Sequence, residues 1–166
     1  QFYGGETANI VKNIVEDVRV NKDKALFEYT KKFDKVELNK DNVEVTEDEI
    51  NEAYKKIDDA QLDALRRAID NIYSYQKKMF KAARRGEYLG KRGYMIRAVE
   101  RAGIYVPGGT AAYPSSVLMC AIPAVVAGVE EIIMVTPAGA GEINPLTLVA
   151  ASECGVDRIF KIGGAQ

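Results

Sequence analysis

Two glycine pairs, each placed directly after an apolar run, have the residue types and spacing that best indicate chemistry. Gly108-Gly109 follows residues 103–106, and Gly163-Gly164 follows residues 158–162. Glycine lets the backbone turn sharply and approach a ligand closely. A helix that begins after such a turn offers free N–H groups, which suit a phosphate. The pattern therefore indicates either a nucleotide-binding site or plain structural turns.

The glycine pairs match neither of the common phosphate-binding motifs. The sequence around them is neither GxGxxG nor GxxxxGK[ST], and the run 132–135 ends in Thr136-Pro137 with no acidic residue to hold a ribose. Tyr105 stands just before the first pair, and a tyrosine there is either a core residue or a ligand contact. The sequence has no histidine, which removes the commonest general base and the commonest metal ligand.

Composition excludes several classes of function. The chain has 23 basic and 24 acidic residues, so it lacks the strong positive field of a nucleic-acid-binding protein. No apolar stretch reaches the roughly 20 residues of a membrane span. Cys120 and Cys154 both lie in apolar surroundings and are predicted to be small core residues, which favours a reducing compartment such as the cytoplasm. Because the chain starts with Gln1 and ends at Gln166, we expect it to be part of a longer protein.

Residues 1–90 are predicted to form a helical region. Apolar residues recur there at helical spacing. The sequence from Thr46 to Glu49 fits a capping box at the start of a helix. A later helix is predicted to continue to Arg85, where Gly86 can end it. The apolar stripe of that helix packs either against its own domain or against a partner subunit.

Residues 91–166 are predicted to alternate between strands and helices. The predicted strands are residues 94–99, 103–106, 131–135 and 158–162, and the predicted helices are 115–127 and one that begins at Pro145. Pro123 is expected to kink or break the first helix. This alternation indicates an α/β fold with a parallel sheet covered by helices. Ligands of such sheets bind beyond the carboxyl ends of the strands, where the glycine pairs lie.

Three segments together resemble histidinol dehydrogenases. The segment RAGIYVPGGTAAYPSSVLMCAIPAVVAGVEEI (101–132) and the segment CGVDRIFKIGGAQ (154–166) are the most specific. The segment IVEDVRVNKDKALFEYTKKFD (14–34) is similar to the amino-terminal helical region of the same family. The resemblance covers nearly all of the chain, in order.

The resemblance implies a fold, an activity and a cofactor. Members of the family are cytoplasmic homodimers with incomplete Rossmann-like domains. They oxidise L-histidinol to L-histidine through the aldehyde, reduce NAD, and use zinc to position the small-molecule substrate. The motifs YVPGG and GGAQ imply that the NAD-binding residues of this chain are Tyr105, Gln166, Gly108, Gly109, Gly163 and Gly164.

The resemblance also implies what this chain lacks. The family's catalytic Glu-His pair and its zinc ligands are expected beyond Gln166, so no catalytic or metal-binding residue is assigned within the chain. Residues 91–166 are then a partial, C-terminally truncated NAD-binding domain, and the chain alone is expected to be inactive. Two other hypotheses stay open: a non-catalytic Rossmann-like nucleotide-binding or dimerisation module, and a structural unit that exchanges its helical arm between subunits.

Overall fold

The structure, a computed structural model, describes residues 5–84, 92–108, 112–139 and 141–166. Helices come first along the chain, and strands then alternate with helices. The helices are α1 (Glu6–Asn21), α2 (Asp23–Phe33), α3 (Glu47–Lys55), α4 (Asp59–Ala83), α5 (Pro114–Ala127) and α6 (Pro145–Glu153). The strands are β1 (Arg101–Tyr105), β2 (Glu131–Val135) and β3 (Arg158–Phe160). This arrangement confirms the predicted α/β fold class.

The three strands form one parallel sheet in the order β1-β2-β3. Ile104 lies opposite Met134, and Met134 lies opposite Ile159. All three side chains are buried and share one core with apolar residues of α5 and α6, the two crossover helices. Because side chains alternate along a strand, Gly103 and Tyr105 lie on the opposite face, where both are exposed.

A segment of the helical region closes the β3 edge of the sheet. The N–H of Val45 donates to the carbonyl of Ile159, and the N–H of Lys161 donates to the carbonyl of Val43, both at 2.9 Å. The edge that β3 would otherwise expose is thereby covered. The sequence predicts a longer last strand, but β3 ends at Phe160, and the N–H of Ile162, on the side of β2, donates instead to the carbonyl of Phe160 at 2.9 Å.

Two capping boxes fix the starts of α3 and α4. At the predicted box, the Glu49 N–H donates to the Thr46 hydroxyl at 3.2 Å, and the Thr46 N–H donates to the Glu49 carboxylate at 2.9 Å. Asp58 and Gln61 form a second, unpredicted box by the same exchange, at 2.7 and 3.1 Å. Each box satisfies backbone donors that have no partner within the helix.

Helices α3 and α4 pack on the core of the sheet. Ala53 of α3 and Leu65 of α4 belong to the cluster that contains the buried strand residues. The apolar stripe of α4 therefore packs against its own domain, one of the two predicted alternatives. The helix ends at Ala83, and the predicted stop at Arg85 and Gly86 lies outside the described residues. Like every other described helix, α4 lacks the apolar run that a bilayer span requires.

The strand predicted over residues 94–99 does not form within the described part of the chain. The side chains of Met95 and Val99 are 70% and 61% exposed. A strand needs a neighbour for its N–H and C=O groups. The described sheet consists of β1, β2 and β3, so a mostly apolar run was insufficient to form a strand here.

Pro123 does not break α5, contrary to the break that the sequence led us to consider. The helix is continuous from Pro114 to Ala127. Proline removes the hydrogen bond to the carbonyl four residues earlier, which is that of Met119. The Met119 side chain is 55% exposed, so this carbonyl lies on the solvent side of the helix, where water can replace the missing donor.

The two cysteines have different environments. Cys154, directly after α6, is buried as predicted, and burial raises the pKa of its thiol to about 11. Cys120 is exposed on α5, so the prediction that it packs in the core is wrong. Its apolar neighbours in sequence point to the core from the other side of the helix, as Val117 and Ala121 do.

We expect a thiol reagent at neutral pH to modify Cys120 in the native chain and to modify Cys154 only after unfolding. The thiolate is the reactive form, and the raised pKa and burial of Cys154 suppress it. Peptide mass spectrometry before and after addition of urea measures both sites. The variant Cys120→Ser should lose the native reaction, and equal native labelling of both cysteines would contradict the described burial.

Candidate cofactor site

The carboxyl ends of all three strands meet at one edge of the sheet, because the strands are parallel. At that edge β1 leads into Gly108, β2 into Pro137 and β3 into Gly163. The N–H of Val106 donates to the carbonyl of Val135 at 2.9 Å, which keeps the chain paired with β2 beyond the end of β1. The two predicted glycine turns therefore share one edge, with the end of β2 between them.

Gly108 and Gly163 both lie against Pro137. A Cβ atom on Gly108 would lie 2.5 Å from Cγ and 2.8 Å from the carbonyl oxygen of Pro137. A Cβ atom on Gly163 would lie 2.6 Å from the Cβ atom of Pro137. Carbon atoms pack favourably at about 3.5–4.0 Å, so a side chain at either position would displace Pro137. The sequence pattern indicated a close approach to a ligand, whereas the close approach seen here is to a proline that sequence reasoning missed.

Gly164 has a different requirement. Its φ of +68° lies in the left-handed region that favours glycine, and a Cβ there would collide with Oε1 of Gln166. The end of the Gln166 side chain thus lies against the turn that follows β3. Gly109, the remaining predicted glycine, lies outside the described residues.

Tyr105 is the last residue of β1, and its side chain is 50% exposed. Its register partner is Val135, whose own partner on β3 is Phe160. These three side chains lie on the sheet face opposite α5 and α6. The ring of Phe160 already contacts the guanidinium of Arg158, whose Cζ lies 4.8 Å from the ring centroid. The exposed ring of Tyr105 therefore offers the surface that suits the flat ring of a ligand.

Gln166 lies at the other side of the strand ends, against a residue that the sequence did not suggest. Its Nε2 donates to Oδ2 of Asp34, the residue after α2, at 3.2 Å. Burial raises the pKa of Asp34, although the N–H of Gly163 and the amide of Gln166 act in the opposite direction. The two residues are 132 positions apart, so their contact leaves no signal in a single sequence.

A cavity of ≈ 230 Å³ opens beside Pro137, between the ends of β1 and β2 and the start of α6. Gly108 and Thr136 line it on the sheet side, and Asn144 lines it on the helix side. The Asn144 side chain already accepts a hydrogen bond from the N–H of Leu146 at 3.0 Å, which caps α6. One wall of the cavity is therefore backbone at a glycine, and the other is the start of α6, which Asn144 already caps.

Lys161 is a buried cation at the end of β3. Its Nζ lies 2.6 Å from Oε1 of Glu49. Burial opposes the charge on Glu49, but the hydrogen bonds from Lys161 and from Thr46 lower the pKa of this carboxyl overall. Lys161 is therefore engaged in an ion pair that joins β3 to the start of α3.

The described residues do not fit a zinc ion. Within residues 5–84, 92–108, 112–139 and 141–166, no three side chains of the kinds that bind metals lie close enough to share one. Structural and catalytic zinc sites take three or four nitrogen, sulfur or carboxylate ligands. We therefore assign no step to a metal in this chain.

Residues 4–166 match the family model described as histidinol dehydrogenase. The histidinol dehydrogenase of Heliobacterium mobile is 51% identical over 162 residues, which are 94% of this chain and 37% of the relative. That of Caldanaerobacter subterraneus subsp. tengcongensis is 50% identical over 162 residues, 97% of this chain and 38% of the relative. The chain thus spans well under half the length of these relatives.

A solved structure agrees with the sequence matches. The crystal structure of histidinol dehydrogenase from Elizabethkingia anophelis superposes with a TM-score of 0.83 at 35% identity. The match covers 98% of this chain and 38% of that one. The fold of this chain is therefore similar to part of a larger structure.

Proposed function

Because the chain belongs to the histidinol dehydrogenase family, we propose that it forms the NAD-binding side of a longer enzyme. We call this longer enzyme the full-length enzyme. It oxidises L-histidinol to L-histidine through the aldehyde. The observation that carries the proposal is the position of Tyr105: it lies within the YVPGG motif, at a strand end, and is half exposed.

The residues at the strand ends fit the binding of a dinucleotide. The ring of Tyr105 offers a stacking surface, and the amide of Gln166 offers a hydrogen-bond acceptor. Gly108, Gly163 and Gly164 keep side chains away from the turns, and we include Gly109 in the same assignment. Bound NAD supplies the hydride acceptor, and the role of this chain is to bind and orient it.

The proposal places the zinc ligands and the Glu-His pair in the remainder of the full-length enzyme. It also includes a helical region 1–90, a partial Rossmann-like domain 91–166, a homodimer and a cytoplasmic location. The exposed thiol of Cys120 is compatible with a reducing compartment. The exposed apolar side chains of Tyr73 and Met79 on α4 supply a surface of the type that subunits bury.

Tyr105→Ala in the full-length enzyme should raise the KM for NAD about tenfold, because stacking of a base on an aromatic ring contributes about 1–3 kcal/mol. Tyr105→Phe keeps the ring and should behave like the wild type. Steady-state kinetics with NAD varied at saturating L-histidinol measures the effect. The melting temperature should not change, because the side chain is half exposed.

Tyr75→Ala is the matched control for this test. It removes another exposed tyrosine, on α4 and away from the strand ends, and should leave the KM for NAD unchanged. If Tyr105→Ala also leaves it unchanged, the assignment of NAD to this edge of the sheet is wrong.

A further inference from the structure

Asp34 is held firmly at the end of α2. Its N–H donates to the carbonyl of Thr30 at 2.8 Å and so closes the last helical turn. The next residue, Lys35, has a φ of +61° and reverses the direction of the chain. Because the backbone is fixed on both sides, the Asp34 carboxylate has a defined place beside the turn that follows β3.

The carboxylate determines which way the Gln166 amide faces. Nε2 of Gln166 donates to Oδ2 of Asp34 at 3.2 Å. An ionised carboxylate only accepts hydrogen bonds, so the amide nitrogen must face Asp34 and the amide oxygen must face away. A neutral partner with both donors and acceptors would permit either orientation.

The amide oxygen of Gln166 has no donor within the described part of the chain. Oε1 of Gln166 is buried, and no described residue donates a hydrogen bond to it. Gly164 makes room for this atom, since a Cβ at that position would collide with it. Burying an acceptor without a hydrogen-bond donor costs free energy. A ligand that donates a hydrogen bond to this oxygen recovers that free energy. Two features on either side of the amide, Asp34 and Gly164, thus hold an unused acceptor in place.

We infer that Asp34 is a positioning residue that orients Gln166, so that Oε1 accepts a hydrogen bond from an N–H or O–H group of bound NAD. The carboxamide and the ribose hydroxyls of the nicotinamide half are donors of this class. The inference rests on the proposed function, because it assigns NAD to the site. It adds a residue of the helical region to a site that the motifs place wholly in residues 91–166.

Equilibrium titration of the full-length enzyme with NAD alone, without L-histidinol, tests the inference. Asp34→Ala should raise the Kd for NAD about fivefold, the effect of losing one well-placed hydrogen bond. Asp34→Asn keeps the shape of the side chain but can present a donor to Gln166, so it should raise the Kd almost as much. Its melting temperature should match the wild type, which keeps the test open if Asp34→Ala does not fold.

A double-mutant cycle with Gln166→Ala separates positioning from a general structural role. If Asp34 acts through Gln166, Asp34→Asn combined with Gln166→Ala should bind NAD no more weakly than Gln166→Ala alone. The KM for L-histidinol should stay within about twofold of the wild type in every variant. Asp41→Asn, which alters an exposed aspartate of the same region, should leave the Kd for NAD unchanged.

Three results would overturn the inference: additive losses in the cycle, an unchanged Kd for NAD in Asp34→Asn, or an unchanged Kd in Gln166→Ala. These results differ from a failure of the proposed function. If Tyr105→Ala weakens NAD binding while Asp34→Asn does not, NAD binds at this edge and only the role of Asp34 is wrong. If none of the three positions affects NAD binding, both proposals are wrong.

Discussion

Residues 1–166 alone, supplied with NAD, L-histidinol and zinc, should produce no NADH, whereas the full-length enzyme should. Oxidation of an alcohol requires a base for the hydroxyl proton, and the chain has no histidine to serve as one. Two charged groups close to the strand ends are already engaged, since Lys161 pairs with Glu49 and Asp34 accepts from Gln166. The proposal therefore assigns proton transfer and zinc binding to the remainder of the enzyme.

NADH absorbance with matched molar amounts of the chain and of the full-length enzyme measures this difference. Both proteins should be produced in a host without its own histidinol dehydrogenase, because a trace of that enzyme would imitate activity. The chain should also be titrated with NAD, so that absence of turnover can be distinguished from absence of binding. Turnover by the purified chain above the rate without protein would show that the acid/base groups lie within these residues.

Local patterns in the sequence predicted the elements whose causes are local. The capping box at Thr46 and Glu49 forms as predicted because both partners lie within one helical turn. The strand predicted over residues 131–135 is β2 as observed, buried at Ile132 and Met134 by alternation. In each case the residues that decide the structure are neighbours in sequence.

Where an element depends on a residue that is distant in sequence, the local sequence pattern did not predict the structure. Residues 94–99 are mostly apolar, as a strand can be, but do not belong to the described sheet. β3 is shorter than predicted, since the N–H of Ile162 donates to the carbonyl of Phe160 and not to β2. Cys120 has apolar neighbours in sequence, yet its position on α5 faces outward. Pairing and helix orientation depend on tertiary contacts that one sequence does not reveal.

The candidate site likewise contains features that the sequence predicted and features that it did not. Parallel strands placed Gly108 and Gly163 at one edge of the sheet, as the sequence predicted. Neither Pro137, which both glycines contact, nor Asp34, which binds Gln166, could be recognised. Both contacts join residues that are far apart along the chain, and the residue types involved are common in ordinary turns.

Gly108→Ala should lower the free energy of unfolding of the chain by about 2–3 kcal/mol, at the upper end of the cost of overpacking. The new Cβ would lie 2.5 Å from Cγ and 2.8 Å from the carbonyl oxygen of Pro137. A flexible side chain could move aside, but a proline ring and a backbone carbonyl at a strand end cannot do so without moving β2. Urea denaturation followed by circular dichroism, without NAD, measures the loss.

Gly103→Ala is the matched control, since Gly103 lies on β1, which leads into Gly108, and a Cβ there meets nothing within 4 Å. Alanine restricts the unfolded chain more than glycine does, so this variant should be as stable as the wild type or slightly more stable. Gly163→Ala should behave like Gly108→Ala, because its Cβ would lie 2.6 Å from Cβ of Pro137. Both substitutions displace the same residue, Pro137, so their effects on stability should not be additive.

These measurements distinguish two reasons for a glycine at the end of β1. If Gly108 is needed only to admit a ligand, its substitution weakens NAD binding and leaves the stability of the free chain intact. If it is needed to accommodate Pro137, the loss of stability occurs without any ligand, and weaker NAD binding follows from the displaced edge of the sheet. The distances to Pro137 favour the second reason, and a Gly108→Ala chain as stable as Gly103→Ala would refute it.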